Sequence, residues 1–287
     1  MNQSHQVWTI TRIMQAVRAK KFLGQHFLTD LSIAQRIADT ITLANGLRTP
    51  DITNGERIPV LEIGPGMGVL TQYLLKNPNI QLTTIEIDRE SVAYLREWYP
   101  ELKLIEGDFL KIDLSTIFPM GPFCVIGNYP YNISSQIFFK VLEYKDRIPL
   151  CSGMIQKEVA QRLAAHPGNK DYGILSVLLQ AYYNIEYLFT VGSHVFSPPP
   201  KVESAVIRLT RNNRERLDCD EQLFKTVVKT AFNQRRKQMR NSLQQLVGKG
   251  NPLLQENIFT KRPEQLYVDE FVELTKLIEN GRTQNIL

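Results

Sequence analysis

Four consecutive residues, Asn128, Tyr129, Pro130 and Tyr131, stand where an apolar run (PFCVIG) gives way to a segment with helical spacing. Polar and aromatic groups are thereby gathered at one strand end. Further upstream, VLEIGPGMGVLTQYL sets Gly64, Gly66 and Gly68 between a strand and an amphipathic helix. Glycines at such a junction permit a tight turn and let the backbone approach a ligand closely. Two carboxylates close the next strands: Glu86 ends IQLTTIE, and Asp108 lies in EGDF just after ELKLI. In a doubly wound sheet ligands bind at the C-terminal strand edge, where a carboxylate at the end of the second strand can accept hydrogen bonds from both ribose hydroxyls. These elements mark a nucleotide-binding edge without naming the nucleotide, because a nicotinamide-dependent dehydrogenase uses a similar strand, loop and acid. Asp88 is the rival to Glu86 and reads as an exposed first-turn helix residue, favoured by the helix dipole.

The elements that must position these residues follow from periodicity. Short β-rich runs at 59–63, 80–86, 101–105, 122–127, 151–155, 184–191 and 202–210 alternate with helical patterns, which predicts βαβ units in a mostly parallel α/β sheet of seven strands. The last two strands are joined by GSHVFSPPPK, too short for a parallel crossover, so that pair should be antiparallel. Its prolines impose an extended path. Beyond Arg211 the strand pattern stops and apolar residues recur at helical spacing (Leu223, Val227; Phe224, Val228; Met239, Leu243, Leu246). Two domains are expected: an α/β domain over 1–210, whose first 19 residues form a loose extension, and a small helical domain over 211–287. Met14 is a possible alternative start.

Composition narrows the class. With 43% hydrophobic and 22% charged residues the chain is that of an ordinary globular protein. Cys124, Cys151 and Cys219 are too scattered for a disulfide framework, no spacing suggests zinc, and no metal is expected. No apolar run is long enough to span a membrane and no signal-peptide pattern opens the chain, so a cytoplasmic protein is expected. The net charge of +5 is modest, but six cations and no acid lie between Lys225 and Arg240, a local footprint for phosphate.

The segment GNYPYNIS resembles the motif of the amino-methyltransferases, in which an acidic or Asn residue, any residue, Pro and an aromatic follow a buried strand. More narrowly, the chain resembles the bacterial small-subunit ribosomal RNA adenine dimethyltransferases. The similarity runs from about Lys20 to beyond Leu246, through KKFLGQHFL, EIGPGMG, IEIDRE, GNYPYNIS, QKEVAQRL, FSPPPKVESAV and AFNQRRKQMRNSL. It implies a Rossmann-like, doubly wound seven-stranded methyltransferase sheet with a small C-terminal helical domain.

The resemblance implies S-adenosylmethionine as methyl donor, touching His26, Leu28, Gly64, Glu86, Asp108 and Asn128. Methyl transfer from a sulfonium needs aim more than acid–base help, so positioning is the main lever. An adenine amino nitrogen has its lone pair delocalised into the ring. The Asn128 side-chain oxygen and the Pro130 carbonyl could accept its two N–H groups, with Tyr131 as a stacking platform and Phe196 covering the other face. Two residues depart from the commoner pattern: His26 stands where Asn is frequent, and Tyr129 where Leu is. The implied substrate is a pair of adjacent adenines in the 3′-terminal hairpin loop of small-subunit rRNA, with Arg235, Arg236, Lys237 and Arg240 on phosphates. The partner would be the small ribosomal subunit or its precursor, met by a monomer. A large-subunit adenine methyltransferase of the antibiotic-resistance kind and a mainly non-catalytic ribosome-assembly factor are the alternative readings.

Overall fold

A computed structural model describes residues 17–41 and 57–284. Its main sheet has seven strands: β2 (Ile58–Ile63), β3 (Ile80–Glu86), β4 (Lys103–Glu106), β5 (Cys124–Asn128), β6 (Leu150–Gln156), β7 (Tyr183–Val191) and β9 (Ser204–Arg211). Two short strands, β1 (Phe27–Leu28) and β8 (Phe196–Ser197), pair antiparallel outside it. The sheet order is β4-β3-β2-β5-β6-β9-β7. The pairs β2–β3, β2–β5, β3–β4 and β5–β6 are parallel, and β9 runs antiparallel to β6. Strand order reverses direction at β2, so the crevice between the C-terminal ends of β2 and β5 is the topological switch point.

The central strands are buried on both faces, as crossover helices require. Val60, Cys124, Ile126 and Met154 pack with Ala34, Ile37 and Ala38 of helix Leu31–Ala38, together with Leu70 and Leu74. The intervening residues Leu61 and Val125 are equally buried, as are Ile137, Phe138 and Val141 of helix Ser134–Glu143. Cys124 and Cys151 are free, buried thiols.

The chain divides into two compact units. The first runs through Ala160 and adds Glu186–Arg211; the second combines Gln161–Ile185 with everything from Asn212 onward. The expected boundary at 210/211 therefore does not describe residues 161–185, which group with the C-terminal helices. The reason is backbone hydrogen bonding: Gly168 N–H donates to the Glu264 carbonyl at 2.7 Å and Asn212 N–H to that of Tyr182 at 3.0 Å. The second unit is built on helices Ile174–Gln180, Glu221–Asn233 and Val268–Gln284, with Phe224, Phe259 and Phe271 fully buried. Phe232 packs against Tyr172 and Phe271, at ring-centroid separations of 6.3 and 6.0 Å.

Gly127 and Gly153 face each other across β5 and β6. A Cβ on Gly153 would collide with the Gly127 carbonyl oxygen and lie 2.6 Å from Cε2 of Tyr129. Gly153→Ala is therefore expected to destabilise the fold by about 1–3 kcal/mol through overpacking against backbone, read as a lowered urea midpoint.

Candidate active site

A cavity of about 200 Å³ opens at the switch point. Its walls include Gly64 and Gly66 after β2, Glu86 after β3, Asp108 after β4, and Asn128, Pro130 and Tyr131 after β5, with His26 and Leu28 from the N-terminal segment. All the expected donor-site residues are thus gathered in one place. Gly64, Gly66 and Gly68 have φ of 65°, 56° and 79°, the left-handed conformation that the tight turn needs. A Cβ on Gly64 would lie 3.9 Å from Cδ of Pro130, so the glycine turn and the Asn128–Tyr131 motif form adjoining walls.

Glu86 is held by three backbone donors. Its Oε1 accepts the N–H groups of Ile87 and Asp88, each at 2.9 Å, and its Oε2 accepts that of Gly66 at 3.0 Å. Burial raises its pKa above the ordinary carboxylate value, and these bonds pull the other way. Of the roughly four lone-pair sites on a carboxylate, one on Oε2 is left. Glu86 can take one ribose hydroxyl as it stands, whereas two require sharing one of the backbone bonds. Asp108 Oδ1 accepts the N–H of Leu110 at 2.9 Å, and its Oδ2 lies 3.7 Å from Lys111 Nζ. Ile87, half-exposed, and Phe109 supply apolar wall beside these acids.

Asn128 donates its Nδ2 to the His26 carbonyl at 3.3 Å, which orients the amide and leaves Oδ1 as an acceptor. The His26 side chain is engaged elsewhere: Nδ1 lies 2.8 Å from the carbonyl oxygen of Pro198. The His26 ring lies 5.3 Å from that of Tyr131, tilted by 31°. Tyr131 is fixed by a hydrogen bond between its hydroxyl and Ser204 Oγ, and burial raises its pKa.

Two expectations are corrected. Phe196 does not cover the cavity: it is only 4% exposed, pairs with Leu28 through β8 and β1, and packs in the hydrophobic cluster with Ile37 and Val191. An apolar ring beneath a proline-rich loop is driven to the core, and the aromatic neighbour of Tyr131 is His26 instead. Asp88 is not an exposed first-turn acid. It is buried and accepts from Lys20 Nζ, from Ser91 Oγ at 2.9 Å and from Gln25 Nε2 at 3.5 Å. Burial alone would raise its pKa, but these partners and the Lys20 charge hold it below the usual carboxylate value. Asp88 thereby fastens the N-terminal segment over the cavity.

Tyr129 is fully buried, with its hydroxyl donating to the Ser152 carbonyl at 2.7 Å. Its ring fills the space that Gly127 and Gly153 leave open and meets Phe138 edge-on. Glu62, before the glycine turn, also lines the cavity, at 1% exposure, and no spacing in the sequence marks it. Burial pushes its pKa up to about 8, opposed by a 2.8 Å bond from Thr71 Oγ1 and reinforced by the charge of Glu86.

Three of the four expected phosphate-binding cations, Arg235, Arg236 and Lys237, sit in the turn between two helices. Helix Glu221–Asn233 ends before them, and Arg240 lies in the next helix, Met239–Ser242. Arg236, Lys237 and Arg240 are exposed and in no ion pair among the described residues, while Arg235 donates to the Asn169 carbonyl at 3.3 Å. Among the described residues no cluster of His, Cys, Asp or Glu could hold a metal ion, and no helix is long and apolar enough to cross a membrane.

Residues 16–279 match the family model described as ribosomal RNA adenine dimethylase. A small-subunit ribosomal RNA methyltransferase A of Parabacteroides distasonis is 64% identical over 91% of this chain and 94% of its own length. The protein of that name from Porphyromonas gingivalis is 60% identical over 93% and 100%. Among solved structures, a dimethyladenosine transferase from Plasmodium falciparum shares the fold at a TM-score of 0.73 and 23% identity, over 90% of this chain and 98% of that one. The 23S rRNA methyltransferase ErmE superposes at 0.61 with 28% identity, over 87% and 99%.

The raised Glu62 pKa carries a sign. The native state keeps a proton that the unfolded state loses above the ordinary carboxylate value, so this group's contribution to stability falls as pH rises toward about 8 and is level beyond. Glu62→Gln lacks that dependence. In urea melts between pH 5 and 9 the variant should gain on the wild type up to about pH 8, after which the gap stays constant.

Proposed function

The chain belongs to the ribosomal RNA adenine dimethylase family, and on that premise we propose that it dimethylates the N6 amino groups of two adjacent adenines in the 3′-terminal hairpin loop of small-subunit rRNA, using S-adenosylmethionine. The observation that carries the reading is the state of Asn128. Its Nδ2 is committed to His26, so Oδ1 offers acceptor capacity beside the glycine turn. The Pro130 carbonyl accepts the Ile133 N–H at 3.3 Å and keeps a second lone pair. The two acceptors can take the two amino hydrogens and turn the nitrogen lone pair toward the cavity. When bound, S-adenosylmethionine supplies a methyl group already activated on a positively charged sulfur.

The fit of the donor rests on three features of the cavity. The turn at Gly64 and Gly66 lets a ligand approach the backbone, Glu86 retains an acceptor site for a ribose hydroxyl, and Asp108 stands beside Phe109 and Ile87, suiting an adenine with an exocyclic amino group. His26 and Leu28 close the same cavity from the N-terminal side. Tyr131, braced by Ser204 and lying next to His26, serves as the stacking platform for the extruded base; stacking of this kind offsets about 1–3 kcal/mol of the lost base stack. Phe196 supports this arrangement only through its pairing with the N-terminal segment.

Arg235, Arg236, Lys237 and Arg240 bind rRNA phosphates in this reading, adding affinity and orientation but little sequence information. The protein acts as a cytoplasmic monomer on the small subunit or its precursor, and its binding contributes to subunit biogenesis. The relatives named for small-subunit rRNA, at 60% identity and above, support this substrate over the large subunit.

Incubation with labelled donor should mark small subunits and leave large subunits unmarked; the reverse would refute the substrate. Asn128→Ala should lower the methylation rate by about 10²-fold or more through lost aim, with subunit binding intact. Binding without turnover that still supports subunit assembly in cells would favour the assembly role. The triple change Arg236→Ala, Lys237→Ala, Arg240→Ala should weaken subunit binding and flatten its salt dependence, by roughly 0.7–0.9 in log–log slope for each phosphate no longer neutralised.

A further inference from the structure

The reaction proposed above makes no use of Lys140, a lysine only 7% exposed on helix Ser134–Glu143. A lysine is almost never buried this deeply unless it is paired. Its Nζ donates to the carbonyl oxygen of Phe109 at 2.6 Å and to that of Ile112, and lies 5.1 Å from the centroid of the Phe109 ring. Both carbonyls belong to the loop after β4 that carries Asp108. Inside that loop the Asp108 carbonyl accepts the N–H groups of Lys111 and Ile112, at 3.0 and 3.1 Å, so the turn is already closed on itself. What the turn lacks is a partner for its inward-facing carbonyls, and Lys140 is that partner.

Tyr144, one residue beyond the same helix, repeats the arrangement at the other end of the loop. Its hydroxyl donates to Asp113 Oδ1 at 2.8 Å and accepts the N–H of Leu114 at 3.1 Å. The segment from Phe109 to Leu114 is therefore fastened at four points, two to Lys140 in the helix and two to Tyr144 at its C-terminal end, and that helix begins three residues after Tyr131. Asp108, Phe109 and Leu110 line the cavity on the other side of the fastened loop.

We propose that Lys140 is a positioning residue for donor binding, holding the Phe109–Ile112 loop so that Asp108 and the Phe109–Leu110 wall face the cavity. Burial lowers its pKa below the ordinary lysine value, and the nearby carboxylates Glu143, Asp108 and Asp113 act to keep the charge. An apolar residue of the same length would leave two carbonyls without donors. The cost would fall on the loop's conformation, because the rest of the helix packs through Ile137, Phe138 and Val141. The role rests on the donor site proposed above.

The test compares Lys140→Met, Lys140→Arg, Tyr144→Phe and Asp108→Ala in the full-length enzyme acting on small subunits. KM for donor and for subunits, kcat at saturating donor, and calorimetric affinity for S-adenosylhomocysteine are measured. Lys140→Met should raise the donor KM and weaken S-adenosylhomocysteine binding by about tenfold, leaving kcat within about threefold and the subunit KM unchanged. Lys140→Arg should recover part of that loss, because a guanidinium also donates to two carbonyls. Tyr144→Phe should raise the donor KM in the same sense by a smaller factor. A folded Lys140→Met enzyme with wild-type donor affinity, or one that loses kcat alone, overturns the role. If Lys140→Met does not fold, a wild-type donor KM in Tyr144→Phe overturns it. Asp108→Ala separates the two readings: if it too leaves donor affinity intact, the donor site is wrong, whereas loss in Asp108→Ala alone removes only the role of Lys140.

Discussion

The wall that Asn128 and Pro130 give to the cavity is supported from beneath by the buried ring of Tyr129. The ring occupies a slot that exists because β5 and β6 present Gly127 and Gly153 to each other, and its hydroxyl is satisfied by the Ser152 carbonyl. A bulky aromatic in such a slot has one packing solution, since interiors are close-packed and its polar tip needs a partner. With Tyr129 fixed downward, its neighbours Asn128 and Pro130 are fixed at the cavity wall. The departure from Leu at this position thus supports the motif from beneath, with its side chain directed into β6 rather than toward a ligand.

The side of the cavity lined by Glu62, Glu86 and Asp108 is organised by carboxylates in unequal environments. Glu62 is sealed in and held near neutrality by burial, Glu86 is tied by backbone N–H groups, and Asp108 remains partly open to solvent. Two adjacent buried acids cannot both ionise cheaply, so a neutral Glu62 lets Glu86 act as an acceptor. The glycine turn is bonded to Glu86 through Gly66, which couples the turn's shape to the acid's orientation.

The N-terminal segment completes the site from outside the main sheet. Lys20 and Gln25 attach it to Asp88, the Thr29 N–H bonds the Val195 carbonyl at 2.8 Å, and β1 pairs with β8. Through these bonds the His26 carbonyl reaches Asn128 and its ring reaches Pro198 and Tyr131. The loop of prolines and the segment around His26, distant in sequence, form one wall.

Periodicity places all seven main strands within a few residues, because buried parallel strands and their helices leave strong local patterns. The glycine turn, Glu86, Asp108 and Asn128 are legible for a related reason: each sits at a strand's C-terminal end, where chain order alone dictates a shared edge. Residues whose roles depend on partners far along the chain are not legible. Asp88 reads as exposed because nothing local announces Lys20, and Phe196 reads as available because spacing does not say which side of a loop a ring takes. Glu62 escapes notice since its protonation depends on burial under the glycine turn. Residues 161–185 join the C-terminal helices through hydrogen bonds to Glu264 and Asn212 that no window of sequence contains. Sequence by itself determined the elements, their order and the chemistry gathered at the strand ends. Tertiary structure decided which polar groups keep lone pairs free and which are consumed in holding the others, because desolvation and hydrogen-bond saturation are set by what packs around a group.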